Sequence, residues 1–244
     1  MPWLPQAASS HAAVMDFVLL LVHALMLVMF VGWAAYFCWV LVRFRARRQP
    51  QASYPGARGR IAQWSEVGVV VAEGVLLVVF ALPLWFQRTA APPPDPRAIV
   101  VRIVAEQYAW NIHYAGADGH FGATSMALIS PTNPLGLDRE SRFGKDDLTT
   151  QNVLHVPINR QVVIQLSSKD VIHSFGLPNF RVKQDVIPGM LSTVWFTPTV
   201  MGEFDIACSQ LCGLGHYRMR GTVVVESEPD FQKYLADEAA LIGK

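Results

Sequence analysis

Apolar residues crowd the first third of the chain and fall into short alternating runs in the rest. From Val14 to Val42 the sequence reads VMDFVLLLVHALMLVMFVGWAAYFCWVLV, where only Asp16, at the edge, and His23 are strongly polar. A second run, Val67 to Phe86, is interrupted only by Glu73 and Pro83. As helices, both are long enough to cross a hydrocarbon core of about 30 Å, the first with some tilt. Neither has a polar face wide enough for water. The first run is too long for the apolar core of a signal peptide and lacks a small-residue cleavage site, so it reads as a retained helix. The expected anchor is a transmembrane hairpin over residues 13–90, with spans at about 14–42 and 67–86, behind a short N-terminal segment, 1–12.

Charge sets the expected orientation. Arg43, Arg45, Arg47, Arg48, Arg58 and Arg60 lie between the two runs, with no acidic residue before Glu66. Arginine-rich short loops stay on the cytoplasmic side, which places both termini outside. The Arg- and Ala-rich composition fits a bacterial inner membrane, with the C-terminal part of the chain on its periplasmic side.

Past the second run, TAAPPPDPRA cannot continue a helix and reads as an extended linker, 91–98. From Ile99 the pattern changes to short runs of β-branched and aromatic residues: Ile99–Ile103, Val153–Val156, Val162–Leu166, Leu191–Phe196, Glu203–Ala207 and Gly221–Val225. Turn signals at Gly119, Pro157-Ile158-Asn159 and Pro188-Gly189 separate several of them. Strands without intervening helical patterns imply an antiparallel sandwich over residues 99–227, large enough to bury its own core. Ser125 to Thr150, rich in Pro, Gly and mixed charges, reads as a long surface loop. Residues 228–244 read as a C-terminal helix whose packing side is Phe231, Tyr234, Leu235 and Leu241.

Composition agrees with a membrane-anchored chain. Of 244 residues 52% are hydrophobic and only 16% charged, against about 25% charged in average globular chains. The net charge is +1, and no basic block falls in the C-terminal two-thirds, so no nucleic-acid partner is expected. Three cysteines are too few for a disulfide framework. Cys38 sits in an apolar run and reads as a small buried residue. No C-x-x-C-H occurs, so no covalently attached c-type haem is expected.

The other two cysteines belong to Cys208-Ser-Gln-Leu-Cys212-Gly-Leu-Gly-His216-Tyr-Arg-Met219, which packs two thiols, an imidazole and a thioether into twelve residues. Soft sulfur donors suit copper, as does imidazole, and His173, in Asp170-Val-Ile-His-Ser-Phe, adds a further donor. A Cys2His2 zinc site would leave Met219 idle. A Cys208–Cys212 disulfide would leave His216 and Met219 unexplained. A mononuclear blue-copper site would leave one cysteine surplus. A dinuclear copper site uses every donor, with two thiolates bridging and one His on each metal.

C-S-x-L-C-G-x-x-H-x-x-M, preceded by D-V-x-H-S-F and K-x-D-x-I-P-G (Lys183, Asp185, Ile187, Pro188, Gly189), resembles subunit II of cytochrome c oxidases. The resemblance spans anchor, sandwich and motif. It implies a cupredoxin-like Greek-key β-sandwich carrying a dinuclear copper (CuA) centre. Carried over, Cys208 and Cys212 bridge the coppers, and His173 and His216 bind one each. Met219 completes one metal, and the backbone carbonyl of Gln210 the other. The implied role is to accept electrons from a cytochrome c and pass them to haem in subunit I. Oxygen is reduced to water there, coupled to proton translocation, so this chain would not hold the oxygen site. The implied partners are subunit I, other oxidase subunits and the lipid bilayer. Other readings are a copper electron-carrier subunit of another respiratory reductase, a metal-free quinol-oxidase subunit, against which the intact ligand set argues, and a copper chaperone.

This sequence departs from the family at two positions. Gln210 replaces the usual Glu, whose side chain helps hold a magnesium ion at the subunit interface; a neutral amide is a weaker ligand for a hard cation, so magnesium is not expected on this chain. Tyr108, in Gln107-Tyr108-Ala109-Trp110, replaces the Trp that receives electrons, which leaves Tyr108 and Trp110 as relay candidates and Trp110 also as a core residue. Asp138, Glu140, Asp146, Asp147 and Asp170 are interleaved with Arg139, Arg142, Lys145 and Lys169, a surface that steers a basic partner weakly. The expected donor is therefore a cytochrome c tethered to the membrane or held in a supercomplex. Glu66 matches the family's Glu at the mouth of a proton path. Glu73, two turns further on, needs a partner or a proton, and His23 reads as a helix-packing residue.

Overall fold

The computed structural model describes residues 4–48, 50–51 and 59–242. They form a helical unit, Val14–Ala91, and a second unit that joins the N-terminal segment up to Ala13 with the chain from Pro92 onwards.

In the helical unit, α1 (Ala12–Arg43) runs for 32 residues. The second helix is continuous from α2 (Arg60–Val75) through a π-helical turn, Leu76–Ala81, into α3 (Leu82–Thr89). The wide turn lies where Pro83 lacks an amide to bond Val79 and crowds its carbonyl. Both helices are long and apolar enough to cross a membrane, at Ala12–Arg43 and Ala62–Thr89. They extend past the apolar runs because the flanking polar residues continue the backbone ladder. Of the arginines between them, Arg58 lies outside the described residues.

Among the described residues the second unit holds ten strands: β1 (Ile99–Glu106), β2 (Ala109–Tyr114), β3 (Leu148–Gln151), β4 (Val153–Pro157), β5 (Val162–Ser168), β6 (His173–Leu177), β7 (Val182–Val186), β8 (Ser192–Phe196), β9 (Gly202–Cys208) and β10 (Arg220–Glu226). They make two five-stranded sheets, ordered β3-β2-β1-β5-β8 and β4-β10-β9-β6-β7. Neighbours are antiparallel except β1 with β5 and β4 with β10. Inward positions follow the two-residue period: Val101, Ile103 and Ala105 on β1 and Val223 and Val225 on β10 are buried. Trp110, Phe175, Phe180, Phe196 and Ile206 fill the space between the sheets. This β-sandwich behind two apolar helices agrees with the fold class expected from the sequence.

β2, β3, β6 and β7 were not expected as strands, for a common reason. AWNIHY, LTTQ, HSFGL and VKQDV carry polar or glycine residues at positions that a propensity reading gives to turns. Their burial against the opposite sheet overrides it. The segment expected to be a surface loop is also partly interior, since Leu135, Leu137, Asp147 and Leu148 are buried. Asp147 is completely enclosed, not the surface acid its sequence context suggested. Its carboxylate accepts from Gly122 N at 2.7 Å, Gly116 N at 3.1 Å and His113 Nε2 at 2.5 Å. These bonds satisfy it and tie the loop back onto β2.

The N-terminal segment lies against the sandwich like an extra edge. Ala8 is fully buried, its N–H donates to Asn179 O at 2.8 Å, and its carbonyl accepts from Thr199 N at 2.9 Å. At the other end Ser227 Oγ accepts from Asp230 N at 3.3 Å, an N-cap for α4 (Glu228–Ile242). Phe231 is buried and the Tyr234 ring stacks on His155 at 3.7 Å. Leu241 is exposed, contrary to expectation.

Two predictions follow from this packing. Phe231→Ala removes a buried aromatic and should cost about 3–5 kcal/mol, read as a lower denaturation midpoint in detergent. The second concerns acid stability. Burial lowers the His113 imidazole below its ordinary value, more than Asp147 raises it. As pH falls below about 6.5 the unfolded chain takes the proton first, so stability present at neutral pH is lost as pH falls through the folded value. Tm should drop over that range, and His113→Gln, which keeps a donor but cannot titrate, should flatten the slope.

Candidate metal centre

β9 ends at Cys208 and β10 begins at Arg220, and the loop joining them is the motif picked out in the sequence. β6, the neighbour of β9, starts at His173, and Phe175 faces Cys208 in the register. Adjacent strands thus bring a residue 35 positions upstream to the loop.

Cys208 Sγ and Cys212 Sγ stand 3.7 Å apart. Both cysteines are free, so the pair is not a disulfide, whose sulfurs stand at about 2.05 Å. His173 Nδ1 lies 4.0 Å from Cys208 Sγ, and His216 Nδ1 lies 3.6 Å from Cys212 Sγ. Met219 Sδ is 3.7 Å from Cys212 Sγ, and the Gln210 carbonyl is 3.2 Å from Cys208 Sγ. All six residues expected to be ligands are therefore gathered around the sulfur pair, each within 4.0 Å of one of the two sulfurs.

The donor set fits copper. Metal–thiolate bonds of about 2.3 Å let a metal on either side of the sulfur pair reach both atoms. His173, Cys208 and Cys212 present ligand atoms within 4.8 Å of one another, a group that His216 does not join. One imidazole therefore lies beside each sulfur of the pair. Burial, with Cys208 alongside, pushes the Cys212 thiol up to about 11, so metal uptake must displace its proton.

The loop is held from outside by contacts the sequence reading missed. Asp170 Oδ1 accepts from His173 Nε2 at 2.8 Å, which leaves Nδ1 free as a donor to metal. Asp170 Oδ2 accepts from Gln107 N at 2.7 Å, and Gln107 Nε2 donates to Cys212 O at 2.6 Å. Burial alone would raise the Asp170 carboxyl, but bonds from His173, Gln107 N and Val171 N outweigh it and hold it below the ordinary carboxylate value. Asp170 is thus a support for a ligand rather than the free surface charge it was grouped with. The signal available in the sequence was its place three residues before His173.

Tyr108 packs under the loop. A Cβ on Gly215 would stand 2.5 Å from its ring, and one on Gly213 would stand 2.7 Å from its hydroxyl. Gly213 also has φ +134°, which excludes other residues. Trp110 is fully buried, 5.4 Å from Phe175 and 6.2 Å from the His173 ring. It is a core residue beside the centre, whereas Tyr108 touches the loop itself. Glu66 lies on α2 in the helical unit, exposed on its surface.

Comparison with known proteins supplies the family. Residues 99–227 match the family model for the periplasmic domain of cytochrome c oxidase subunit II. The alternative cytochrome c oxidase subunit 2 of Bradyrhizobium diazoefficiens is 35% identical over 209 residues, covering 85% of this chain and 74% of that one. Cytochrome c oxidase subunit 2 of Cereibacter sphaeroides is 33% identical over 183 residues, covering 70% of this chain and 58% of that one. The crystal structure of the periplasmic domain of subunit II of cytochrome oxidase from Bradyrhizobium japonicum is 28% identical, with a TM-score of 0.46, covering 63% of this chain and 99% of that one. The chain belongs to the cytochrome c oxidase subunit II family, the membrane-anchored second subunits of the haem–copper oxidoreductase complexes.

Proposed function

We propose that this chain accepts electrons for its oxidase at a dinuclear copper centre and delivers them to haem in subunit I. The observation that carries the reading is the convergence of two unbridged sulfurs with an imidazole at each end, a thioether and a carbonyl, at separations of 3.2–4.0 Å. Cys208 and Cys212 would hold the copper between them, His173 and His216 would bind at either end, and Met219 and the Gln210 carbonyl would complete the set. Copper bound there supplies reversible one-electron chemistry with its charge spread over two metals and two sulfurs.

The protein's own part is to keep these donors still. Asp170 orients the His173 ring, Gln107 holds the Cys212 carbonyl, and Met219 O accepts from Cys208 N at 3.2 Å to close the loop. Donors fixed beforehand need little rearrangement when an electron arrives, which is what fast transfer requires. Tyr108, against Gly213 and Gly215, is the relay we assign to the donor side.

The sandwich and both chain ends belong on the periplasmic side of a bacterial inner membrane, with the arginines between the spans inside. Glu66, near the start of the second span, is the proton-path candidate. A cytochrome c, tethered to the membrane or held in a supercomplex, is the electron donor. Gln210 offers a neutral amide, so no magnesium is assigned to this chain.

Two measurements test the reading. Electron paramagnetic resonance with copper counting on the purified oxidase should give a seven-line pattern with about two coppers per chain assigned to this subunit; a four-line spectrum with one copper would overturn it. Asp170→Asn should leave the chain folded while weakening copper retention about 10–100-fold, measured by competition with a chelator. An unchanged affinity and spectrum would remove Asp170 from the ligand support.

A further inference from the structure

The end of the sandwich that carries the loop is apolar at its outermost points. Leu214, between Cys212 and His216, is 97% exposed, Tyr217 is 85% exposed and Leu211 is 77% exposed. Pro188 bridges to Ser168, which brings the exposed Met190 and Leu191 to the same end. Side chains of this size, gathered around one loop, mark an interaction site rather than scattered surface apolars.

The charges around this patch are unevenly matched. Glu106 pairs with Lys169 at 2.6 Å, and Asp185 with Lys183 at 3.0 Å. Asp170 is engaged by His173 and Gln107. Arg218 and Arg220 are exposed, and among the described residues no carboxylate pairs with either. Arg218 lies 5.9 Å from the centre of the Tyr108 ring, so the unmatched cation sits beside the proposed relay. A donor ringed with lysines would meet like charge here, and like-charge juxtaposition disfavours a partner.

Resting on the function proposed above, we propose that this face selects its electron donor by the charge around the donor's haem edge. The cytochrome it fits surrounds its haem edge with apolar and neutral-to-acidic residues rather than with lysines. Leu214 and Tyr217 supply the contact area, and Arg218 selects the sign of the rim. Because Leu214 lies between two ligands, a haem edge placed against it approaches the centre across a single loop of backbone.

The test uses the assembled oxidase, as wild type, Leu214→Ser and Arg218→Glu. It is assayed with two reduced cytochromes c, one with a lysine-ringed and one with an acidic haem face. The wild type should show the lower KM for the acidic-faced donor, with only a mild rise as salt increases. Arg218→Glu should raise that KM about tenfold, and Leu214→Ser should raise KM for both donors by a similar factor, with the copper spectrum and subunit composition unchanged. Preference for the lysine-ringed donor with turnover falling steeply with salt would overturn the proposal. So would Leu214→Ser losing a partner subunit while KM stays constant, since the face would then be a subunit contact. Absence of a copper spectrum from the wild type would instead overturn the electron-acceptor reading itself.

Discussion

Two sulfurs kept 3.7 Å apart and unbonded are the constraint on which the rest of the domain depends. Left to themselves, neighbouring thiols in an oxidising compartment close to a disulfide, for which about 2.05 Å is required. Here the strand end at Cys208 and the tight turn through Gly213 fix each cysteine separately. Gln107 holds the second by its carbonyl and, through Asp170, the first histidine. The sandwich is the rigid frame that makes these bonds short and simultaneous. Its register brings His173 alongside Cys208, and its core packs Trp110 and Phe175 behind them.

How much of this was legible in the sequence depended on whether a residue's role was set by its neighbours in the chain. The donors of the loop were readable because soft ligands crowded into twelve residues have few other uses. His173 was readable only with help from a neighbouring motif, since strand pairing, not spacing, brings it in. The supports were not readable. Gln107 and Asp170 lie 63 residues apart and meet only because β1 and β5 run parallel and end together. Asp147 looked like a surface acid for the same reason: its three partners come from β2 and a distant part of its own loop. Strands with polar residues, such as β6 and β7, were hidden because local propensity is overruled by the facing sheet.

The helical half was the easier one to read. Lipid offers no partners for backbone groups, so a segment that spans outside a closed barrel must be a long apolar helix, and the sequence has to state it openly. What the sequence left out was the π-helical turn before Pro83, a local answer to a missing amide. Glu66 and Glu73 are seven residues apart on α2, which places them on nearly one face. A carboxylate at that depth is costly to leave against lipid.

The two departures from the family pattern act on different atoms, which is why they weigh differently. At Gln210 the part that meets the centre is the backbone carbonyl, common to every residue, so replacing the acid leaves the sulfur pair and its imidazoles untouched. The change falls on the side chain, and with it on any hard cation beyond the centre. At Tyr108 it is the side chain itself that meets the loop. Its ring fills the hollow left by Gly213 and Gly215 and stands beside Arg218, so its size and polarity bear directly on the surface around the loop. On the function proposed above, such a centre can keep its donor set intact while its partner changes, because the ligands are set by the loop and the partner by the surface around it.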